Sequence, residues 1–465
     1  MRTFLCGGEA ELPPCRLGPP PSDWSNPRVA RSGSRSVAGV RRACVGEQTR
    51  PAPSAGIAVL RRNSAAVPIL HRRLVLHHIY LSPGMFGFTR LASYDYFSHV
   101  ERALSARFEK AGLAVEMHVS DVLPTASVRR RALRLAELID GTASGDGPIH
   151  LLGHSTGGLD ARLVASPGAQ LAKSAPWLGR LRSVTTMNTP HYGTPLASFF
   201  ATAKGQQALY ALSAFTVIGL SLGQRPLAIA KVLVGMIART DDALGVTLPV
   251  LDRSVASLLG LVDDARSPAV RTYLKAIRED QGSMLQLSPE AMDLVLAGFE
   301  DRPGVWYQST ASMSPAAGPK AWLRTLGHPL HSLSLSLFTA LHTITADHDE
   351  HYPCAALPAD RASSTLQAAE AWLVRAFGKS PTLSDNDGCV PIRSQIWGTL
   401  VWAGLGDHLD VLGHYRDETP EPRVELRHHD WLTSGSQFND ASFESLMDSI
   451  ASGMINPAPP IEKAE

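Results

Sequence analysis

Ser155 lies in Gly153-His154-Ser155-Thr156-Gly157-Gly158, between the apolar run Ile149-His150-Leu151-Leu152 and a stretch of helical character that opens at Gly157. A serine hydroxyl is a poor nucleophile near neutral pH. It becomes useful when it is exposed on a tight turn, bonded to a base and faced by donors that hold an oxyanion. A strand, a Gly-x-Ser-x-Gly turn and a helix meet those needs, because the turn leaves no room for side chains beside the serine. The chemistry implied is nucleophilic acyl transfer through a covalent intermediate. One oxyanion donor is then the backbone N–H of Thr156, at a helix N-terminus where the dipole favours negative charge. The other belongs on the loop after an earlier strand. Ser82-Pro83-Gly84-Met85-Phe86-Gly87 is that loop, and the N–H of Met85 is the expected donor.

In this arrangement the acid and then the base follow the serine in chain order. The turn Ser384-Asp385-Asn386-Asp387-Gly388-Cys389 offers Asp387, with Asp385 as the alternative. Gly406-Asp407-His408-Leu409-Asp410 offers His408. The chain has 17 histidines, and His414, His428 and His429 compete for the role. Position favours His408, a few residues after the last expected strand. Asp387 would accept from Nδ1–H of His408 and fix its tautomer, while Nε2 takes the serine proton. The run His342, Asp347, His348, Asp349, Glu350, His351 contains metal-ligand types but reads as a solvated loop. No metal and no cofactor is expected.

The elements that must carry these residues alternate. Residues 74–81 read as a buried strand that stops at Ser82-Pro83-Gly84. Tyr94, Phe97, Val100, Leu104 and Phe108 recur at spacings of three and four and mark a helix over 94–110. A strand over 113–119 and a helix over 125–139, with Thr125 as N-cap, come next. Further strands are expected at 148–153, 181–187, 305–309 and 400–403. The alternation implies a mainly parallel sheet with helices on both faces and function at the carboxyl ends of the strands. From about 198 to 300 the sequence is apolar and helical instead, with no charge between Lys204 and Arg225. It reads as a helical cap rather than a membrane span, since flanking basic clusters and an aromatic belt are missing.

The 465 residues carry a net charge of +1, which gives no reason to expect nucleic acid as a partner. That balance hides an asymmetry. Residues 1–73 hold twelve Arg and no Lys against four acidic residues, with nine Pro and seven Gly. They read as a disordered tail or as sequence upstream of the true start. No secretory signal is evident, so the cytoplasm is the default location. Cys6, Cys15, Cys44, Cys354 and Cys389 fit neither a disulfide framework nor a metal site.

Four segments together resemble the bacterial triacylglycerol lipase and esterase branch of the α/β-hydrolases. They are Gly153-His154-Ser155-Thr156-Gly157-Gly158 with Leu159-Asp160-Ala161-Arg162, Asn188-Thr189-Pro190-His191-Tyr192-Gly193-Thr194-Pro195, Asn386-Asp387-Gly388, and Asp407-His408-Leu409-Asp410. The resemblance spans about residues 75–415. It implies an α/β-hydrolase domain over 74–465 with a cap insertion, and hydrolysis of carboxylic esters with apolar acyl groups. It favours Asp387 as acid, because the family's acid sits in an Asn-Asp-Gly setting, and it makes His191 structural. The family usually has His-Gly where this chain has Pro83-Gly84. In some members the acid at the position of Asp410 helps to bind calcium, for which no second ligand is evident. The partner expected is a small-molecule or lipid ester, with transient contact to a lipid interface through the cap. Alternatives are an acyltransferase with the same triad and a non-catalytic binding protein of this fold.

Overall fold

The computed structural model describes residues 75–85, 90–91, 94–169, 171, 175–222, 267–327, 329–347, 364–415 and 432–457. The chain divides into the units Met1–Leu70 and His71–Glu465. All described residues belong to the second, so the reading of 1–73 as a tail falls outside them. Among the described residues the strands are β1 (Leu76–Ser82), β2 (Arg90–Leu91), β3 (Tyr94–Asp95), β4 (Ala114–Val119), β5 (Ile149–His154), β6 (Leu181–Met187), β7 (Trp306–Met313) and β8 (Thr399–Leu405). Six form one sheet in the order β4-β1-β5-β6-β7-β8. All of its pairings are parallel.

A parallel sheet needs apolar cover on both faces, and β1 shows how this is met. Ile79 and Leu81 enter one core cluster, with Val100, Leu104 and Phe108 of helix α1 (Ser98–Lys110) and Leu446, Met447 and Ile450 of the helix Asp440–Ile455. Tyr80, between them, enters a second cluster with Ala132, Leu135 and Ile139 of α2 (Val128–Thr142) and Ala161 of α3 (Thr156–Ala165). Strand alternation therefore sends successive residues to opposite helical layers. This is the α/β-hydrolase fold: a parallel sheet covered on both faces, with the strand β5, a sharp turn at Ser155 and the helix α3 at its centre.

Two local expectations are corrected. The helix expected over 94–110 begins at Ser98, because Tyr94–Asp95 pairs antiparallel with Arg90–Leu91. That detour leaves Tyr96 outside the helix and buried against the site described below. The cap of α2 is Ser127, whose hydroxyl accepts from Arg130 N–H, and not Thr125. The Thr125 hydroxyl is committed to the Asp280 carbonyl and its own carbonyl accepts from Ser283. Between 195 and 300 the described elements are all helices: α4 (Pro195–Ala201), α5 (Ala203–Leu222) and the helices Ser267–Glu279, Gly282–Gln286 and Pro289–Leu296. No helix among the described residues is long and apolar enough to cross a membrane.

Under the α1 layer, His150 of β5 lies between His77 and Ser183, its Nε2 3.1 Å from His77 Nδ1 and its Nδ1 2.8 Å from Ser183 Oγ. Burial, then His77, lowers its pKa from 6.5 to about 3. Its neutral form is favoured on folding, so the unfolded chain binds the extra proton between pH 6.5 and 3. Stability is therefore full above pH 6.5 and falls as the pH drops through that window. The slope is about 1.4 kcal/mol per pH unit for one such group. Thermal unfolding from pH 7.5 to 4.5 should show a falling Tm, and His150→Gln should flatten the fall. An equal pH slope in the variant would remove His150 as its source.

Candidate active site

Ser155 sits between the end of β5 and the start of α3 with φ 55° and ψ −129°. A non-glycine residue in this region costs on the order of 1–3 kcal/mol and persists only where its surroundings hold it. Here Ser155 N–H donates to Met187 O of β6 at 2.8 Å, and Gly158 N–H donates to Ser155 O at 3.1 Å. The turn is tight enough that a Cβ on Gly157 would lie 2.0 Å from the Ser82 carbonyl oxygen. The glycine thus lets α3 start directly beneath β1.

His408 follows β8 and Asp387 follows β7 by a longer connection. The structure brings His408 to Ser155 and Asp387 to His408. His408 Nε2 is 2.9 Å from Ser155 Oγ, and His408 Nδ1 is 2.7 Å from Asp387 Oδ2. Ser155 and His408 are each 7% exposed and Asp387 is fully buried. The Asp387 carboxylate is held at each oxygen. Oδ1 accepts from the N–H groups of Cys389 at 2.9 Å and Val390 at 2.7 Å. Oδ2 also accepts from Asn188 Nδ2 at 2.9 Å. His408 N–H in turn donates to the Asp387 carbonyl at 2.9 Å. Asp385 turns away and accepts from Thr382. Beside Asp387, burial pushes the Cys389 thiol pKa up.

On the other side of Ser155 lies the loop after β1. A Cβ on Gly84 would stand 2.9 Å from Ser155 Cβ and 2.8 Å from the Tyr96 hydroxyl, so only glycine lets this loop approach the serine. Met85 follows it, half-buried. Thr156 is the first residue of α3, and a helix gives its first N–H groups no internal partner. A buried pair supports the loop from behind. Arg131 Nε and Nη2 donate to Asp160, Nη2 also donates to the Pro83 carbonyl, and Ser82 Oγ donates to Asp160 Oδ2.

One chain of bonds joins this loop to His408. His154 Nε2 donates to the His408 carbonyl at 2.8 Å, which leaves Nδ1 as an acceptor. Tyr96 therefore donates its hydroxyl proton to Nδ1 at 2.7 Å and accepts from Gly84 N–H at 3.1 Å. Burial, then the neighbouring His408, holds the His154 pKa far below its ordinary value, and burial raises that of Tyr96. Both stay neutral, as the chain requires. Neither received a role from sequence. The signal for His154 is its place in the Gly-x-Ser-x-Gly turn; Tyr96 gives none, because its spacing blends into the helix that follows.

His191 Nδ1 accepts from Arg162 and its Nε2 donates to Thr186, so it is engaged away from Ser155. Asp410 Oδ2 accepts from Asp407 N–H and from Ser436 Oγ. His414 Nε2 donates to the Tyr96 carbonyl. His342 Nε2 donates to Ser314 O. His348, Asp349, Glu350, His351, Cys354, His428 and His429 lie outside the described residues.

No protein-family model matches the chain. A curated triacylglycerol lipase of Vibrio cholerae is 29% identical over 168 residues, which are 36% of this chain and 47% of that protein. The chain thus spans about half the length of the curated relative it matches. Solved structures similar to it include Staphylococcus hyicus lipase (14% identity, TM-score 0.39, 82% of this chain and 95% of that one). Others are lipase 1 from Pelosinus fermentans (15%, 0.41, 81% and 99%) and EstA from Clostridium botulinum (17%, 0.40, 79% and 87%). By its parallel sheet order and the strand–turn–helix at Ser155 the chain has the α/β-hydrolase fold, and by its match to the Vibrio protein it is similar to the lipase and esterase branch of that superfamily.

Proposed function

We propose that the chain is a serine hydrolase that cleaves carboxylic esters of apolar acids. The observation that carries this reading is the continuous contact from Ser155 Oγ through His408 to a carboxylate held at both oxygens. Asp387 accepts from Nδ1–H and keeps the Nε2 lone pair aimed at Ser155. As Ser155 Oγ bonds to the ester carbonyl carbon, its proton passes to His408 Nε2. The carbonyl oxygen becomes an oxyanion, faced by the N–H groups of Met85 and Thr156. Collapse breaks the bond to the alkoxy oxygen, which takes the proton from His408 and leaves as the alcohol. Water, deprotonated by the same nitrogen, then attacks the acyl carbon; the bond to Ser155 Oγ breaks, Oγ takes the proton back from His408, and the acid is released. The stretch from Gly205 to Gln224 holds no charged residue, and it supports an apolar acyl group lying beneath a helical cap. The name of the Vibrio relative points the same way.

A fluorophosphonate probe should label Ser155 in the folded protein, and Ser155→Ala should lower p-nitrophenyl ester hydrolysis by about 10⁴-fold or more. Across a chain-length series the wild type should prefer acyl groups longer than acetyl. Full activity in Ser155→Ala would sink the reading, and transfer of the acyl group to an added alcohol in place of water would turn it to an acyltransferase.

In this reading Tyr96 is a positioning residue, acting through Gly84 and His154. Tyr96→Phe removes the hydroxyl that satisfies both and should lower kcat about 10–100-fold with KM little changed, a loss of about 1.4–2.7 kcal/mol in transition-state stabilisation. A variant that loses Tm yet keeps kcat would make the contact structural alone.

A further inference from the structure

The α2 side of β1 carries a donor cluster away from Ser155. Within the sheet His78 of β1 is paired with Glu116 of β4, and Tyr80 with His118. Alternation puts Glu116 and His118 on one face of β4. His78 Nδ1 is 3.4 Å from His118 Nε2 and 3.6 Å from Glu116 Oε2, and His118 Nε2 is 3.8 Å from the same oxygen. Among the described residues this is the only group of three such donors so close together. A four-coordinate ion held about 2.0–2.1 Å from each ligand sets those ligands about 3.3–3.4 Å apart. The spacing here is nearly that before any ion enters.

Both rings are aimed in advance. His78 Nε2 donates to Ser144 O at 3.0 Å, so its lone pair is on Nδ1, toward the other two donors. A metal-bound histidine commonly has its far nitrogen fixed in this way. His118 stacks on Tyr80, with centroids 4.7 Å apart and planes 16° from parallel. Its Nε2 shares a hydrogen bond with His78 Nδ1, and a small ring rotation, with the proton on Nδ1, turns that bond into a second ligand. The side chain of His78 is fully buried and that of His118 is 12% exposed, whereas that of Glu116 is half exposed. β4 is the edge of the sheet, so the fourth position opens to water. On the opposite face His77 and His150 also meet, but the next group there is the Ser183 hydroxyl.

We propose that His78, Glu116 and His118 bind a zinc-type divalent ion that ties the edge strand β4 to β1. Two imidazoles and one carboxylate select a late first-row metal over calcium or magnesium. The site lies four residues before Ser82 along β1, about 13 Å by strand rise, and does not depend on the hydrolase reading.

The full chain, stripped of metal with EDTA, is titrated with Zn²⁺ against a chromogenic chelator and with Co²⁺ followed by visible absorption. Wild type should bind one more tight equivalent of Zn²⁺ than His118→Ala, show Co²⁺ d–d bands that the variant lacks, and gain a few degrees in Tm with Zn²⁺. Glu116→Gln, on a half-exposed side chain that leaves folding intact, should bind at least tenfold more weakly, and it decides the matter if His118→Ala does not fold. Both variants should keep wild-type ester hydrolysis. Equal binding by wild type and Glu116→Gln, or no tight equivalent in wild type, would mean a hydrogen-bonded histidine pair beside a surface carboxylate and would overturn the proposal.

Discussion

A single neutral imidazole, that of His154, joins three parts of the chain that meet at Ser155. It belongs to the Gly-x-Ser-x-Gly turn by sequence, holds the His408 carbonyl with one nitrogen and receives the Tyr96 hydroxyl with the other. Through Tyr96 it reaches the Gly84 N–H, on the loop beside the serine. The direction of each bond follows from one fact: a carbonyl oxygen can only accept. Were His154 charged, Nδ1 would also be a donor and the link to Gly84 would reverse or break. Burial that keeps the ring neutral is therefore a condition of the site's geometry. The Arg131–Asp160 pair gives the same loop a second anchor, at the Pro83 carbonyl.

Much of this architecture was legible in the residues. A tight turn needs glycines beside Ser155, and the fold dictates that acid and base follow in that order. Ser155, Asp387 and His408 could therefore be named, and the structure sets His408 within hydrogen-bond distance of each of the other two. Asp385 and Asp387, two residues apart, were separated by the Asn-Asp-Gly setting and not by spacing. What stayed hidden depends on contacts far apart in sequence. Tyr96 matters through a partner 58 residues away, and its periodicity looked helical because α1 begins two residues later. Glu116 and His118 show as an alternating pair, but His78 joins them only once the register of β1 on β4 is known. Thr125 has the residue type of a cap, but its hydroxyl is committed to the Asp280 carbonyl.

The contacts around Asp387 have a further consequence. His408 and Asp387 are joined twice, side chain to side chain and N–H to carbonyl, while the carboxylate also closes its own turn onto Cys389 and Val390. The loop after β8 and the turn holding Asp387 are thereby one cooperative segment, since neither can open without exposing the buried polar groups of the other. In hydrogen exchange the amides of Val390 and His408 would then open together. Such an arrangement exists whole or not at all, and its local opening equilibrium sets the fraction of molecules in which Asp387 and His408 are joined at any instant.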